Sequence, residues 1–298
     1  MIDIHMHTSY SDGTDSVIEL LKKAEEKKLE YISITDHNTC KAYKELENID
    51  IKKYYNGKII RGVELNTKID GINIELLGYG IETDRIEDKL EKLYENFRNK
   101  NDIELKELYR ICKEKKVKLD EGILDKYQPK KYAYASLYIH EEIRKYPENR
   151  SLFLSQESWN DVMVFYRKEM CNKNSNFYID STNLVPDMQT VINLIKSLNG
   201  LVFVPHIYVY GDNSEYIFEN IINNYKIDGF ECFYSKFSKK QNETIYNYFK
   251  ENNLYISGGS DYHGETKPNV KMGSGINNNL KMPKDIIMPW VKEEYILK

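Results

Sequence analysis

The chain has 298 residues, of which 41% are hydrophobic and 30% are charged, and its formal net charge is -4. This length is sufficient for one large domain or two smaller ones, each with a buried core. The small negative charge gives no electrostatic basis for binding duplex nucleic acid, and no run of about 18 apolar residues predicts a membrane span.

Cysteine usage and the first residues indicate the compartment. The cysteines are far apart in the sequence and form no CxxC pair; they are Cys40, Cys112, Cys171 and Cys232. This spacing is typical of reduced thiols, so we expect a cytoplasmic protein without a disulfide framework. We expect no signal peptide, because the first residues already read as a strand that carries a histidine.

The first predicted strand, residues 1–6, carries chemistry at its end. His5 and His7 stand two residues apart, and alternate residues of a strand point to the same side. Two imidazoles on one side can bind a single metal ion. Asp12 follows in a Ser-Asp-Gly turn that can return its carboxylate to the same place. The alternative is an ordinary buried strand end, but the His pair with a nearby Asp favours a metal site.

Further strands follow, mostly alternating with helices. The first predicted helix starts at Ser16 and runs to about Lys28. Its apolar positions have helical spacing and are predicted to be core: Val17, Leu20, Leu21 and Ala24. The remaining strands are predicted over residues 31–35, 58–64, 72–78, 201–204, 228–234 and 254–257. Seven strands in this alternation predict a parallel α/β barrel.

The middle of the chain has a different character. Residues 83–180 are rich in Lys, Glu and Tyr, and their apolar positions follow a helical period. We therefore predict a helical insertion, or cap, over residues 83–180, with a barrel domain formed by residues 1–82 and 181–298.

Polar side chains follow one predicted strand after another. They are His5, His7, His37, Glu64, His206, Asp261 and His263. Active-site residues of α/β barrels collect at the carboxyl ends of the strands, so we expect these side chains to converge. Imidazoles and carboxylates without thiolates suit Zn, Mn or Fe. The set is too large for one four-coordinate ion, so two or three divalent ions are expected, with Glu64 bridging neighbours roughly 3.5–4 Å apart.

Five ordered motifs carry a resemblance to a known family. The segments are HMHTSYSDG, ITDH, RGVE, VPH and GGSDYHG, accompanied by LLGYG, DGFECFYS and KPNVKMGSG. In these segments the chain resembles the PHP (polymerase and histidinol phosphatase) superfamily. The resemblance implies a distorted seven-stranded (β/α)7 TIM-like barrel with a trinuclear metal site and phosphoesterase activity.

The resemblance also implies how the ligands are shared. One ion would be surrounded by His5, His7, Glu64 and Asp261; a second would be held by Asp12, His37 and His263; a third would be held by Glu64, Glu75 and His206. Relatives usually have a histidine at the position of Glu75. Because a carboxylate can still bind a metal ion, the third site is expected to be altered rather than lost. Glu231 also matches the family's pattern, and we expect it to support the ligands.

The implied reaction is hydrolysis of a small phosphomonoester, or of a nucleotide or oligonucleotide end, by metal-activated hydroxide. The residues assigned to catalysis are Asp261, His263 and His206, and either Asp261 or a nearby histidine would protonate the leaving oxygen. Weaker candidates for substrate contact lie in the insertion: His140, Arg144 and Lys131. For His140 the alternative is an ordinary surface histidine.

Two other functions stay open. The first is a metal hydrolase of the amidohydrolase kind that does not cleave phosphate esters. The second is a metal-binding regulatory protein whose catalysis has weakened, which Glu75 would favour. A small phosphorylated substrate, no membrane and no duplex nucleic acid are the expected partners.

Overall fold

The computed structural model describes residues 1–128, 134–180, 184–252 and 254–297. The chain divides into two compact units. The first comprises Met1–Leu93 with Pro186–Lys298, and the second comprises Tyr94–Val185. The predicted helical insertion overlaps the second unit, whereas residues 83–93 group with the first.

The strands of the described residues all belong to the first unit and form two sheets. They are β1 (Ile2–Met6), β2 (Tyr31–Ile34), β3 (Lys58–Ile59), β4 (Gly62–Ile69), β5 (Ile72–Tyr79), β6 (Leu201–Val204), β7 (Gly229–Tyr234) and β8 (Tyr255–Gly259). Strands β1, β2 and β3 form a parallel sheet. Strands β4 to β8 form a five-stranded sheet, in which β5 is antiparallel to β4 and β6, and β6, β7 and β8 are parallel. The fold is therefore α/β with one mixed sheet.

The predicted seven-stranded barrel is not confirmed, because neither sheet closes on itself. Residues 58–64, predicted as one strand, are divided between β3 and β4. At the break, Ile60 pairs with Ile296, and the Arg61 N–H donates to the carbonyl of Tyr295. The C-terminal segment therefore takes part of the backbone hydrogen bonding at the break, whereas the Ile60 N–H still donates to the carbonyl of Ile32 in β2.

Single parallel bridges connect the edges of the two sheets. One joins Met6 to Tyr262 and the other joins His37 to Glu64. The approach of β8 to β1 requires a glycine, because a Cβ at Gly259 would lie 2.2 Å from the Cβ of His5. These close approaches bring the ends of β1, β2, β4 and β8 to one place.

Strand β4 is longer than predicted and forms a hairpin with β5. Asp70 and Gly71 connect the two strands with φ angles of 48° and 79°. A two-residue turn with both φ angles positive matches the natural twist of an antiparallel pair. The register of this hairpin sets Asn66 opposite Glu75.

Helices account for most of the remaining regular structure. They are α1 (Val17–Glu26), α2 (Lys41–Leu46), α3 (Glu87–Leu93), α4 (Glu95–Arg98), α5 (Lys100–Glu114), α6 (Ile123–Lys126), α7 (Ala135–Arg144), α8 (Gln156–Asn160), α9 (Val162–Phe165), α10 (Met188–Ser197), α11 (Ser214–Asn224) and α12 (Lys239–Glu251). The predicted start of α1 is confirmed, because Ser16 and Glu19 form a reciprocal capping box. Its four predicted core residues are fully buried.

The second unit has a hydrophobic core of its own. Residues of α5 and α7 pack there with the rings of Phe153, Phe165 and Phe177. All four cysteines of the chain lie in described residues and are free thiols, as predicted. Within the described residues, none of the helices combines the length and apolarity that crossing a membrane requires.

Replacing Tyr43 with Phe is expected to destabilise the first unit. The buried Tyr43 hydroxyl lies 2.8 and 3.0 Å from the carbonyl oxygens of Ile34 and Ile60, and it accepts a hydrogen bond from the N–H of Gly62 at 2.8 Å. Its loss leaves buried backbone groups without a partner, which costs about 1–3 kcal/mol of unfolding free energy. Urea denaturation measures the change in unfolding free energy. Tyr10→Phe, which removes an exposed hydroxyl, is the control, and equal losses in both variants would contradict the assignment.

Candidate metal centre

Two histidines at the end of β1 form the first wall of the site. His5 lies within β1 and His7 follows its last residue, and both side chains are fully buried. Their ring centroids are 5.3 Å apart. The two imidazoles therefore face the same space, as the strand alternation predicts.

The turn after β1 returns Asp12 to this space. Gly13 permits the turn, because a Cβ at this position would lie 2.5 Å from the carbonyl oxygen of His7. The Asp12 side chain is 52% exposed, and its Oδ1 lies 3.1 Å from Nε2 of His263. Asp12 is thus a donor on the solvent side of an otherwise buried cluster.

Asp36 holds the same turn in place. Its Oδ1 accepts hydrogen bonds from the N–H of Thr8 at 2.7 Å and from the hydroxyl of Ser11 at 2.6 Å. Its Oδ2 accepts a third, from the Thr8 hydroxyl at 2.6 Å. The carboxylate before His37 therefore orients the loop that carries Asp12.

The carboxylate of Glu64 is the centre of the site. Its Oε2 lies 3.0 Å from His5 Nε2, 3.1 Å from His7 Nε2 and 3.5 Å from His37 Nδ1. Its Oε1 lies 3.0 Å from His206 Nε2. One buried carboxylate thus contacts four imidazoles through both of its oxygens, which is the arrangement of a bridging ligand between neighbouring ions.

Asp261 and His263 follow β8 and complete a ring of donor side chains. The residues of this ring are His5, His7, Asp12, His37, Glu64, Glu75, His206, Asp261 and His263. Oδ1 of Asp261 lies 3.4 Å from His7 Nε2 and 3.3 Å from His263 Nδ1. Its Oδ2 accepts hydrogen bonds from the hydroxyl of Tyr234 at 2.9 Å and the ammonium of Lys267 at 2.6 Å. These two donors occupy Oδ2, so Oδ1 is the oxygen that faces the imidazoles.

Glu231, in β7, supports two of the histidines from behind. Its Oε1 lies 2.9 Å from Nδ1 of His5, and its Oε2 accepts a hydrogen bond from the backbone N–H of His206 at 2.9 Å. The side chain is fully buried. A carboxylate on Nδ1 fixes the ring orientation and leaves Nε2 as the ligand atom, here directed at Glu64.

Glu75 lies at the opposite edge of the ring from Asp12. Its Oε2 lies 3.4 Å from His206 Nε2, and its Oε1 lies 3.7 Å from His37 Nδ1. Asn66, its partner across the hairpin, donates to Oε1 at 3.0 Å. The Glu75 carboxylate is therefore directed toward His206 and His37, as expected for an altered third site.

The donor atoms fit divalent cations. Four groups of donors, each within 4.8 Å of one another, could hold an ion: His7, Asp12, His37 and His263; His5, His7 and Asp261; His5, Glu64 and His206; and His37, Glu64 and Glu75. Nε2 of His7 and of His263 are buried and have no well-aligned hydrogen-bond partner among the described residues. A buried nitrogen beside carboxylate oxygens without such a partner suits a metal ligand.

The opposite charges of neighbouring carboxylates and imidazoles shift the pKa values of these groups. Burial alone would raise the pKa of Glu64, but the charges of His5 and His37 hold it well below its usual range. Burial alone would lower the pKa of His7, but attraction to Asp261 and Glu64 raises it to about 9. In contrast, burial lowers the pKa of His263. Attraction between these buried groups therefore favours the charged forms of Glu64 and His7.

Two of the three predicted substrate contacts lie in α7 of the second unit. His140 in α7 is buried, its Nε2 lies 2.9 Å from the carbonyl oxygen of Ser158, and its ring is 4.9 Å from that of Phe165. The alternative of a surface histidine is therefore wrong, since His140 belongs to the core of the second unit. Arg144 is exposed at the end of α7, and Lys131 lies outside the described residues. Their role in substrate binding stays a prediction.

Some supporting residues were not predicted. Asp36 stands beside His37 in the ITDH motif, and Lys267 opens the KPNVKMGSG segment, so both stood within segments that carry the resemblance. Tyr234 likewise stood within the DGFECFYS segment, but only the approach of β7 to the end of β8 gives its hydroxyl a partner.

Replacing Glu231 with Gln is expected to weaken metal binding by about 10–100-fold, because an amide cannot orient His5 and His206 as the carboxylate does. Isothermal titration of the metal-free variant with Mn²⁺ or Zn²⁺ measures the affinity. Glu243→Gln, which removes an exposed carboxylate paired with Lys239, is the matched control. Wild-type affinity in the folded Glu231 variant would refute its supporting role.

Metal binding is also expected to release protons near neutral pH. An imidazole must lose its proton to bind a metal, and the raised pKa of His7, about 9, keeps it protonated at pH 7 in the metal-free chain. The apparent affinity should therefore increase as the pH is raised from about 6 to about 8. Titrations in buffers of different ionisation enthalpy measure the release. Heats that do not depend on the buffer would contradict the expectation.

Comparisons with known proteins show relatives in sequence and in fold. A 5'-3' exoribonuclease of Haemophilus influenzae is 24% identical over 267 residues, which cover 88% of this chain and 89% of that protein. An amidohydrolase of Chromobacterium violaceum, solved with sulfate and no metal, superimposes with a TM-score of 0.63 at 14% identity, covering 100% of this chain and 97% of that one. A Bifidobacterium adolescentis protein assigned as a metal-dependent phosphoesterase gives a TM-score of 0.60 at 19% identity, covering 98% and 97%.

The family model of the PHP domain matches residues 3–263. This range begins just before His5 and ends at His263, so it contains every residue of the ring. The resemblance carried by the five motifs is confirmed, and the chain belongs to the PHP domain family.

Proposed function

We propose that this chain is a metal-dependent phosphoesterase. The observation that carries the proposal is the contact of one buried carboxylate, Glu64, with four imidazole nitrogens at 3.0–3.5 Å. Such a bridge suits a centre of two or three divalent ions, of which Zn, Mn and Fe match the imidazole and carboxylate donors. Family membership supports the same activity.

The proposed reaction is hydrolysis of a phosphate ester by water. Bound divalent ions would lower the pKa of water and neutralise the charge that develops on the phosphoryl oxygens. Glu64 and Asp261 would hold their positions without rearrangement, because both carboxylates are buried and already oriented by neighbouring donors. Access would be from the side of Asp12, His37 and Glu75, whose side chains are 52%, 23% and 23% exposed.

Proton transfer would fall to the residues around the leaving oxygen. Attraction to His7, His5 and Lys267 outweighs burial and keeps the pKa of Asp261 well below its usual range. We therefore assign Asp261 to accepting and orienting rather than to donating a proton. His206 and His263 are the proposed alternatives for moving the proton.

The proposed substrate class is a small phosphomonoester, a nucleotide or the phosphorylated end of an oligonucleotide. Similarity to a 5'-3' exoribonuclease over 88% of the chain supports a nucleotide or an oligonucleotide end as the substrate. The net charge of -4 disfavours long contacts with a duplex backbone, so recognition would centre on one terminal phosphate.

The metal-loaded chain is expected to hydrolyse p-nitrophenyl phosphate and, faster, a 5'-phosphorylated dinucleotide. Asp261→Ala and Asp12→Asn should each lower kcat/KM more than about 100-fold, because each removes a proposed ligand worth several kcal/mol in the transition state. Lys271→Met, which removes an exposed ammonium of the same C-terminal segment, should retain activity.

The outcome of a substrate panel separates the rival functions. Metal content without cleavage of any phosphate ester would refute the proposal. Cleavage of amides or lactones instead would assign the chain to a hydrolase of the amidohydrolase kind, and tight metal binding with no hydrolysis at all would favour a regulatory role.

A further inference from the structure

The two ends of the ring offer different donor atoms. The nitrogen-rich end comprises His7, Asp12, His37 and His263, with three imidazoles and one carboxylate. The oxygen-rich end comprises Glu64, Glu75 and His206: His206 Nε2 lies 3.0 Å from Glu64 and 3.4 Å from Glu75. Two carboxylates and one imidazole make this end both harder and more negative than the other.

His37 lies between the two ends, and its chemistry separates them. Nε2 faces Asp12 at 3.8 Å, whereas Nδ1 faces Glu64 at 3.5 Å and Glu75 at 3.7 Å. A neutral imidazole has one lone pair and one N–H. When Nε2 binds a metal at the nitrogen-rich end, Nδ1 carries the hydrogen and has no lone pair for a second ion. His206 is then the imidazole that remains for the oxygen-rich end.

Glu75 is held for this position by a short polar ladder. Asn38 donates to the side-chain oxygen of Asn66 at 2.7 Å, and Asn66 donates to Oε1 of Glu75 at 3.0 Å. The backbone N–H of Glu75 donates to the hydroxyl of Tyr210 at 3.0 Å. Since Oε1 already accepts from Asn66, Oε2 is the oxygen presented beside His206. A carboxylate that is held in one orientation, with one oxygen beside an imidazole, has the geometry of a metal ligand and not that of a solvated surface charge.

From this arrangement we propose that the centre is chemically graded, and that Glu75 makes the oxygen-rich end a site for a hard, exchangeable cation of the Mn²⁺ or Mg²⁺ class. The nitrogen-rich end retains a Zn²⁺-class ion. Hard cations favour carboxylate oxygen and keep positions open for water and phosphate. Mn²⁺ binds nitrogen and oxygen donors more weakly than Zn²⁺ in the general order of divalent ions, so the ion at this end exchanges more readily than a Zn²⁺ ion held by three imidazoles.

The inference rests on the metal loading in the proposed function but not on phosphate ester hydrolysis. The test therefore reads metal binding directly. The whole chain is stripped with EDTA, loaded with one equivalent of Zn²⁺, and titrated with Mn²⁺ while free Mn²⁺ is followed by electron paramagnetic resonance. A parallel sample is loaded with excess Zn²⁺ and excess Mn²⁺ together, and its metal content after dialysis gives the number of Zn²⁺ and Mn²⁺ ions retained per chain.

Three variants define the expected result. Glu75→Gln, which keeps the shape and removes the charge, should weaken Mn²⁺ binding to the zinc-loaded chain by about 10-fold or more. Glu75→His should also weaken Mn²⁺ and should raise retained Zn²⁺ above one equivalent. Glu82→Gln, which removes a carboxylate that accepts a surface hydrogen bond from Asn199, should bind both metals as wild type does.

Equal Mn²⁺ affinity in wild type and both Glu75 variants, with the first Zn²⁺ still bound and thermal unfolding in EDTA unchanged, would overturn the inference. Retention of two Zn²⁺ ions by wild type with no Mn²⁺ bound would also overturn it. A graded Mn²⁺ site in a chain that cleaves no phosphate ester would refute the proposed function and leave the inference standing.

Discussion

The contact of the Glu64 carboxylate with four imidazoles is the interaction on which the site depends. A buried carboxylate must be paired, because removing it from water costs several kcal/mol that unpaired burial cannot recover. Here the partners come from the end of β1 and from the segments after β2 and β6, so the pairing is satisfied only when the ends of these strands meet. Folding of the first unit and assembly of the donor set are therefore one event.

Close backbone approaches make this convergence possible. Gly259 allows β8 to pass against His5, and Gly13 allows the loop after β1 to fold back on His7. Asp261 and His206 adopt positive φ angles, 59° and 31°, which are strained for residues other than glycine. Non-glycine residues in this region persist where surrounding contacts determine them. The hydrogen bonds from Tyr234 and Lys267 to Asp261 are contacts of this kind.

Carboxylates behind the ring prepare the ligands in advance. Glu231 orients His5 and His206, and Asp36 orients the loop of Asp12. Donors already in place cost little rearrangement when an ion or a phosphate arrives. His140 shows the contrast: it is about as buried as His5 and His7, but the neighbours of its ring are aromatic rings and a backbone carbonyl instead of carboxylates.

Local signals were sufficient to predict much of this molecule. Strand alternation set His5 and His7 on one side, helical spacing identified the buried face of α1, and the ordered motifs indicated the family. These features depend on residues close together in the chain. Tertiary structure alone decided the break between β3 and β4, the antiparallel hairpin that turns Glu75 into the ring, and the partners of Glu231 and Tyr234. Each depends on segments far apart in the sequence, whose meeting is determined by packing and by the backbone hydrogen bonds of the folded chain.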